Sequence, residues 1–130
     1  MVIINPYSQY DHGKNWGQYN QLVHEINKIG IISTLIGSEK ELNFFNSDVW
    51  DSKFINLIGQ LEIKQLVDLI SKSKIVICNE GGVQHICVQC HKMAIVIINK
   101  PTPWRVLRNE NINLYKPSVK QVMNILNLFL

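Results

Sequence analysis

The residues best suited to chemistry lie together at 79–91, in the run Asn79-Glu80-Gly81-Gly82-Val83-Gln84-His85-Ile86-Cys87-Val88-Gln89-Cys90-His91. Ile75, Val76 and Ile77 precede it as a short apolar β-branched run, the pattern of a strand buried on both faces. Two consecutive glycines break that run, and from Val83 onward the sequence reads as a helix whose first turn carries His85. A strand, a glycine turn and a helix start expose backbone N–H groups at the positive end of a helix dipole, which suits an anion such as a phosphate. An ordinary tight strand-to-helix turn has the same local signature, so the rest of the chain must separate the two.

A second constellation overlaps the first. Cys87-Val88-Gln89-Cys90-His91 spells the c-type haem attachment motif, and His85 adds a fourth metal-type side chain nearby. Haem attachment requires export to an oxidising compartment, and no basic region followed by a long apolar stretch opens the chain. A structural zinc site needs four converging ligands, yet on one helix Cys87 and His91 share a face and no second pair exists elsewhere. The expectation is therefore small thiols filling a helix–sheet contact, with no metal and no cofactor.

These groups need elements to position them. Val2, Ile3 and Ile4 read as a first buried strand ending at Asn5-Pro6, followed by a polar loop over 7–15 that contains Lys14. Trp16, Tyr19, Leu22, Val23, Ile26 and Ile29 form one apolar helix face, with Gly30 as its C-cap. Residues 31–36 read as a second strand. Ser38 and Glu41 form a capping box opening a short helix to about Phe45, residues 46–53 a polar loop, and 54–57 a weaker third strand. Leu61, Leu66, Val67, Leu69 and Ile70 mark another helix. Strand four precedes the glycine turn, 94–98 is strand five, and Ile112 with Leu114 suggests a sixth. Ser118 caps a last helix whose apolar face includes Val119, Val122, Met123, Leu126 and Phe129.

Strands alternating with helices predict an α/β domain: a Rossmann-like parallel sheet of about five or six strands with helices on both faces. Right-handed crossovers put strands one and four side by side. Ligands in such sheets bind outside the carboxyl ends of the strands at that switch point. Lys14, after strand one, is then expected beside the turn from Glu80 to His85. Convergence of a lysine with a glycine turn at a helix start favours the phosphate reading.

At 130 residues the chain reads as one domain, 1–130; with 46% apolar and 18% charged residues it should be globular. A net charge of +3 without a basic run interleaved with aromatics does not favour nucleic acid. No apolar run reaches the roughly 18 residues of a membrane span. An odd count of three cysteines without a signal segment leads to an expected cytoplasmic location.

Several segments, taken in order, resemble the C-terminal, sugar-nucleotide-binding half of the ADP-heptose:lipopolysaccharide heptosyltransferases, which have the two-domain GT-B glycosyltransferase fold. Lys14-Asn15-Trp16 before an amphipathic helix looks like that family's K-x-W segment. Gly59-Gln60-Leu61 resembles the stretch leading into its next helix. Asn79 to His85 resembles its N-D-S/T-G-x-x-H turn, and Asn99-Lys100-Pro101-Thr102-Pro103 its G-P-T-x-P loop. The chain departs from the pattern at Glu80 for aspartate, Gly81 for serine or threonine, and Asn99 for glycine.

The resemblance implies that Lys14 contacts the diphosphate of an ADP- or UDP-linked sugar. It also implies that the amides of Gly81, Gly82 and Val83, with Glu80 and His85, surround the same phosphates, and that Glu41 is the candidate for the ribose hydroxyls. In that family the base for the acceptor hydroxyl comes from an N-terminal domain that this chain lacks, so transfer is expected to need that domain or a partner chain. Two alternatives stand beside this reading. One is a UDP-N-acetylglucosamine 2-epimerase-like domain, whose D-S-G-G-x-Q-E turn resembles Glu80 to Gln84 but continues with glutamate where this chain has His85. The other is a non-catalytic nucleotide-binding or interaction module.

Overall fold

The computed structural model describes residues 1–8, 15–100 and 110–130. Six strands, β1 (Val2–Asn5), β2 (Ser33–Leu35), β3 (Phe54–Asn56), β4 (Ile75–Asn79), β5 (Ala94–Ile98) and β6 (Ile112–Tyr115), form one sheet in the order β3-β2-β1-β4-β5-β6. Every pairing is parallel, and Val2 to Asn5 lie in register with Ile75 to Cys78. The expected juxtaposition of strands one and four is therefore present. It follows from the right-handed crossover: each helix must return the chain to the same end of the sheet, and the order reverses at β1.

Helices α1 (Tyr19–Lys28) and α4 (Val119–Leu126) cover one face of the sheet, and α2 (Ile63–Lys72) and α3 (Gly82–Gln89) the other. The alternation of strand side chains assigns the two cores. Val2, Ile4, Ile75, Ile77, Ile95 and Ile97 pack with Leu22, Val23, Ile26, Val122 and Leu126 on the first face. Ile3, Val76, Cys78, Ala94 and Val96 meet Ile70 and Cys87 on the second. Central strands buried on both faces explain why β1, β4 and β5 are unbroken apolar runs without alternation.

The helix boundaries follow local signals. Gly30 lies just past α1 with a φ of 85°, a left-handed value that glycine adopts without a Cβ penalty, and its N–H donates to the Asn27 carbonyl. Ser118 Oγ accepts from Gln121 N at 3.1 Å while Gln121 Oε1 accepts from Ser118 N at 2.7 Å, a reciprocal cap at the start of α4.

Three expectations change in detail. The first helix begins at Tyr19 and not at Trp16, because Trp16 is held before it, buried, with its indole N–H donating to the Pro117 carbonyl at 3.0 Å. The short helix after strand two is a 3-10 turn, Lys40–Phe44, since only one turn fits between the cap and the chain's departure at Phe45. The stretch 46–53, expected as a polar loop, contains a 3-10 turn at Ser47–Val49. It also delivers Trp50 into an aromatic group with Phe45 and Phe54, at ring separations of 5.9 Å and 5.4 Å.

The thiols are structural. Cys78 and Cys87 are fully buried, and burial, reinforced by Cys90, pushes the Cys87 thiol up to about 12 from an ordinary 9.0. Burial likewise raises Cys78 and the Tyr19 hydroxyl well above their usual values. A raised pKa in the folded state means that the folded chain keeps a proton the unfolded chain loses. Stability is then complete below the unfolded value and falls as pH rises toward the folded one. Chemical denaturation is expected to show a loss of at least about 2 kcal/mol between pH 8 and pH 10.5. A flat profile over that window would contradict the buried-thiol account.

Candidate functional site

The carboxyl ends of β1, β4 and β5 meet at one edge of the sheet. Gly81 and Gly82 join β4 to α3, and Gly82 is the first helical residue, so the N–H groups of Gly82 and Val83 lie in a turn with no intrahelical acceptor. A Cβ built on Gly81 or Gly82 would meet nothing within 4 Å, so open space lies over the turn. Gly81 is nearly fully extended, with φ 158° and ψ −158°. His85 is exposed, one turn into α3.

One predicted donor is already in use. Gly81 N–H donates to Gln84 Oε1 at 3.0 Å, with Gln84 completely buried. Gln84 sits three residues after the helix cap, the position from which a glutamine side chain reaches back to the cap amide. That spacing is legible in the sequence, where Gln84 lies three residues after Gly81. Gln84 thus fixes the turn by taking the Gly81 amide, and the next two amides, of Gly82 and Val83, open the first turn of α3.

Asn79, the last residue of β4, is the centre of a buried network that the sequence analysis left unassigned. Its Oδ1 accepts from Tyr19 Oη at 2.8 Å. Its Nδ2 donates to the Pro6 carbonyl at 3.2 Å and, at a longer 3.4 Å, to Asn15 Oδ1. Asn15 Oδ1 also accepts from Ser8 N at 2.7 Å, and the Asn15 carbonyl accepts from Asn99 Nδ2 at 3.1 Å. The ends of β1, β4 and β5 are therefore tied to each other and to the start of α1. A polar residue closing an otherwise apolar central strand was the available signal, because a buried amide must find partners.

Glu41 lies at the β2 side of this edge. It is buried at 8% exposure, its Oε1 accepts from Asn5 Nδ2 at 3.1 Å and its Oε2 from Ser38 N at 2.8 Å. Ser38 Oγ accepts in turn from Glu41 N at 3.3 Å, so the capping box is present. Asn5 Nδ2 also donates to the Ile36 carbonyl at 2.9 Å, which locks the carboxylate to the ends of both β1 and β2.

Lys14 lies outside the described residues, as do Trp104 and Arg105; Asn15, next to Lys14 in sequence, is placed beside the turn by the network above. Glu80, half-buried, follows Asn79 directly. The structure thus brings Glu41, Glu80, Gly81, Gly82, Val83 and His85 to the same edge of the sheet. Cys87, by contrast, points into the core between α3 and the sheet, out of reach of a haem vinyl group. Among the described residues, no three His, Cys, Asp or Glu side chains converge as a metal site would require. No described helix is long and apolar enough to cross a membrane.

Beside the β1 loop is a cavity of about 280 Å³ lined by Pro6, Tyr7, Asn15, Trp16, Tyr19 and Trp50 among others. Its walls are mostly apolar, and it adjoins the Asn79 network without being lined by Gly81, Gly82 or Val83.

Known proteins share this architecture. The chain is 25% identical, over 131 residues and 95% of its length, to lipooligosaccharide heptosyltransferase 2 of Haemophilus ducreyi, and covers 35% of that relative. The solved structure of E. coli ADP-heptose lipopolysaccharide heptosyltransferase II superposes with a TM-score of 0.79 at 19% identity, over 98% of this chain and 45% of that one. E. coli heptosyltransferase WaaC with ADP gives 0.75 at 11% identity, over 99% and 44%. At these identities the structural likeness carries the fold, a Rossmann-like sheet matching somewhat less than half of each heptosyltransferase. The model of glycosyltransferase family 9 (heptosyltransferase) matches residues 1–127, nearly the whole sequence, and the chain belongs to that family.

Proposed function

We propose that this domain binds the nucleotide-diphosphate sugar donor of a glycosyl transfer, with the diphosphate on the amino end of α3. The observation that carries the reading is the open, Cβ-free turn at Gly81-Gly82 at the carboxyl ends of β4 and β1, where the helix dipole and the first-turn N–H groups of Gly82 and Val83 favour negative charge. His85, exposed in the same helix turn, and Lys14, preceding Asn15, supply the cationic and hydrogen-bonding side chains. Glu80 helps shape the turn. Glu41 has lone pairs left after accepting from Asn5 and Ser38 and takes the ribose hydroxyls.

A relative of the same fold has been solved with ADP, which supports an adenine nucleotide over a uridine one. Family membership favours the glycosyltransferase reading over the epimerase-like one. The chain spans about a third of the curated relative and under half of the solved structures. In this proposal the base that deprotonates the acceptor hydroxyl comes from a second domain or a partner chain.

Calorimetric titration with ADP, UDP and their sugar conjugates tests the reading. ADP is expected to bind, and Lys14→Ala and His85→Ala are each expected to weaken it by about tenfold, the size of one charge-assisted hydrogen bond. Wild-type protein that binds none of these ligands would end the donor assignment. Binding that survives both substitutions unchanged would move the site elsewhere.

A further inference from the structure

Glu41 is a buried carboxylate held by neutral donors. Its Oε1 accepts from Asn5 Nδ2 at 3.1 Å and its Oε2 from the Ser38 N–H at 2.8 Å. Among the described residues no lysine, arginine or histidine pairs with it. Its charge is therefore oriented but not cancelled, and each oxygen keeps a lone pair for a further donor. Asn5, 6% exposed at the last position of β1, turns its nitrogen toward two acceptors, Glu41 and the Ile36 carbonyl, which fixes the direction of its amide.

The pair also constrains position 37. A Cβ built on Gly37 would lie 3.3 Å from Ile58 Cγ2, 3.4 Å from Glu41 Oε1 and 3.5 Å from Asn5 Nδ2. The Gly37 carbonyl accepts the Gly59 N–H at 2.9 Å, so the backbone there is tied and has little freedom to draw back. Gly37 thus supplies the space in which Asn5 and Glu41 meet.

We propose that Asn5 and Gly37 are positioning residues that aim the Glu41 carboxylate at the donor's ribose, and so set a preference for ribonucleotides over deoxyribonucleotides. The proposal rests on the donor-binding reading above and adds to it what makes the sugar recognition selective. A mobile glutamate would lose rotamer freedom on meeting a hydroxyl; one already held by two N–H groups has met that cost in folding. A ligand without the hydroxyl leaves the buried carboxylate oxygen without its donor. A site built to hydrogen-bond a substrate hydroxyl rejects the analogue lacking it for that reason.

Two substitutions disturb the pair in different ways. Asn5→Leu keeps the branched shape and removes both donated bonds. Gly37→Ala keeps every donor and pushes the pair aside by a few tenths of an ångström, at a position whose φ is not left-handed. The second variant keeps the experiment decisive if the first fails to fold.

The test is calorimetric titration with ADP, 2′-deoxy-ADP and 3′-deoxy-ADP, joined to hydrogen exchange of the ligand-free protein. Wild-type protein is expected to prefer ADP to at least one deoxy analogue by about 20-fold, the size of one hydrogen bond to a charged acceptor. Glu41→Ala is expected to abolish that preference. Asn5→Leu is expected to cut it to about threefold and Gly37→Ala to about half its wild-type size, in each case by weakening ADP. In a Glu41→Ala background Asn5→Leu is expected to change the preference no further. Exchange at the Ser38 amide, which bonds to Glu41, is expected to accelerate about tenfold in Asn5→Leu. Unchanged Ser38 exchange in that variant overturns the hold of Asn5 on the carboxylate. A full preference in the folded variants, or equal weakening of ADP and its deoxy analogues, overturns the positioning role. Wild-type protein that binds all three alike overturns the ribose role of Glu41 and leaves the diphosphate reading standing. Protein that binds none of them refutes the donor reading itself, and this proposal with it.

Discussion

Gly82→Asp is expected to leave the protein folded while lowering its affinity for ADP about 100-fold, close to 2.7 kcal/mol. The two halves of that outcome come from the same geometry. Gly82 is the first residue of α3, a Cβ there meets nothing within 4 Å, and its φ is outside the left-handed region that penalises other residues. A carboxylate in the first turn interacts favourably with the helix dipole, worth about 0.3–1 kcal/mol at an exposed position. The thermal midpoint should therefore stay level or rise slightly. A diphosphate seated on the same amides would meet a like charge at contact distance, and the fixed carboxylate would also occupy the donors that the phosphate needs. Calorimetry and thermal denaturation on the same sample separate the two effects. Equal ADP affinity in the variant would show that no phosphate sits at this helix end.

Ile77→Ala is expected to destabilise the protein by about 3–4 kcal/mol and to lower the thermal midpoint by roughly 10–15 °C. Ile77 is fully buried in β4, the strand between β1 and β5, and belongs to the larger of the two cores together with Ile4, Ile95 and Leu22. Three methylene-sized groups leave the core in this substitution, and neighbours fixed in a parallel sheet cannot collapse into the space. Ile55→Ala is the matched control, because Ile55 on the edge strand β3 is 50% exposed and its loss should cost well under half as much. Equal costs would mean that the sheet's centre does not carry the stability assigned to it.

The two substitutions address different levels of one design. The sheet is stabilised by runs of Ile and Val that carry no chemistry, and the proposed site lies in the glycine turn at their ends. That division is why a change at Gly82 is expected to alter binding while the fold stays intact, and a change at Ile77 to destabilise the chain without touching the proposed site.

The sequence alone determined the sheet and its order. Continuous β-branched runs at 2–4, 75–77 and 95–98 have one stable solution, a parallel sheet covered on both faces. Chirality then places β1 against β4, as the structure shows. The glycine turn was also legible, since Gly81-Gly82 between a strand and a helix start is a local pattern with a local cause. So were the capping box at Ser38 with Glu41 and the cap at Ser118, which depend only on nearby residues.

Tertiary structure decided which polar groups meet. Asn79 is 64 residues from Asn15 and 60 from Tyr19, and no local spacing predicts that their side chains share a buried network. Their convergence follows from the crossover that returns β4 alongside β1. The structure also decided the state of each donor. Gly81 and Gly82 look equivalent in sequence, yet the buried Gln84 side chain takes only the first amide. A hydrogen bond is a matter of a few tenths of an ångström, and only the packed structure sets distances on that scale. The glycine turn was thus readable as an open strand-to-helix turn, and folding determines which of its amides is already taken.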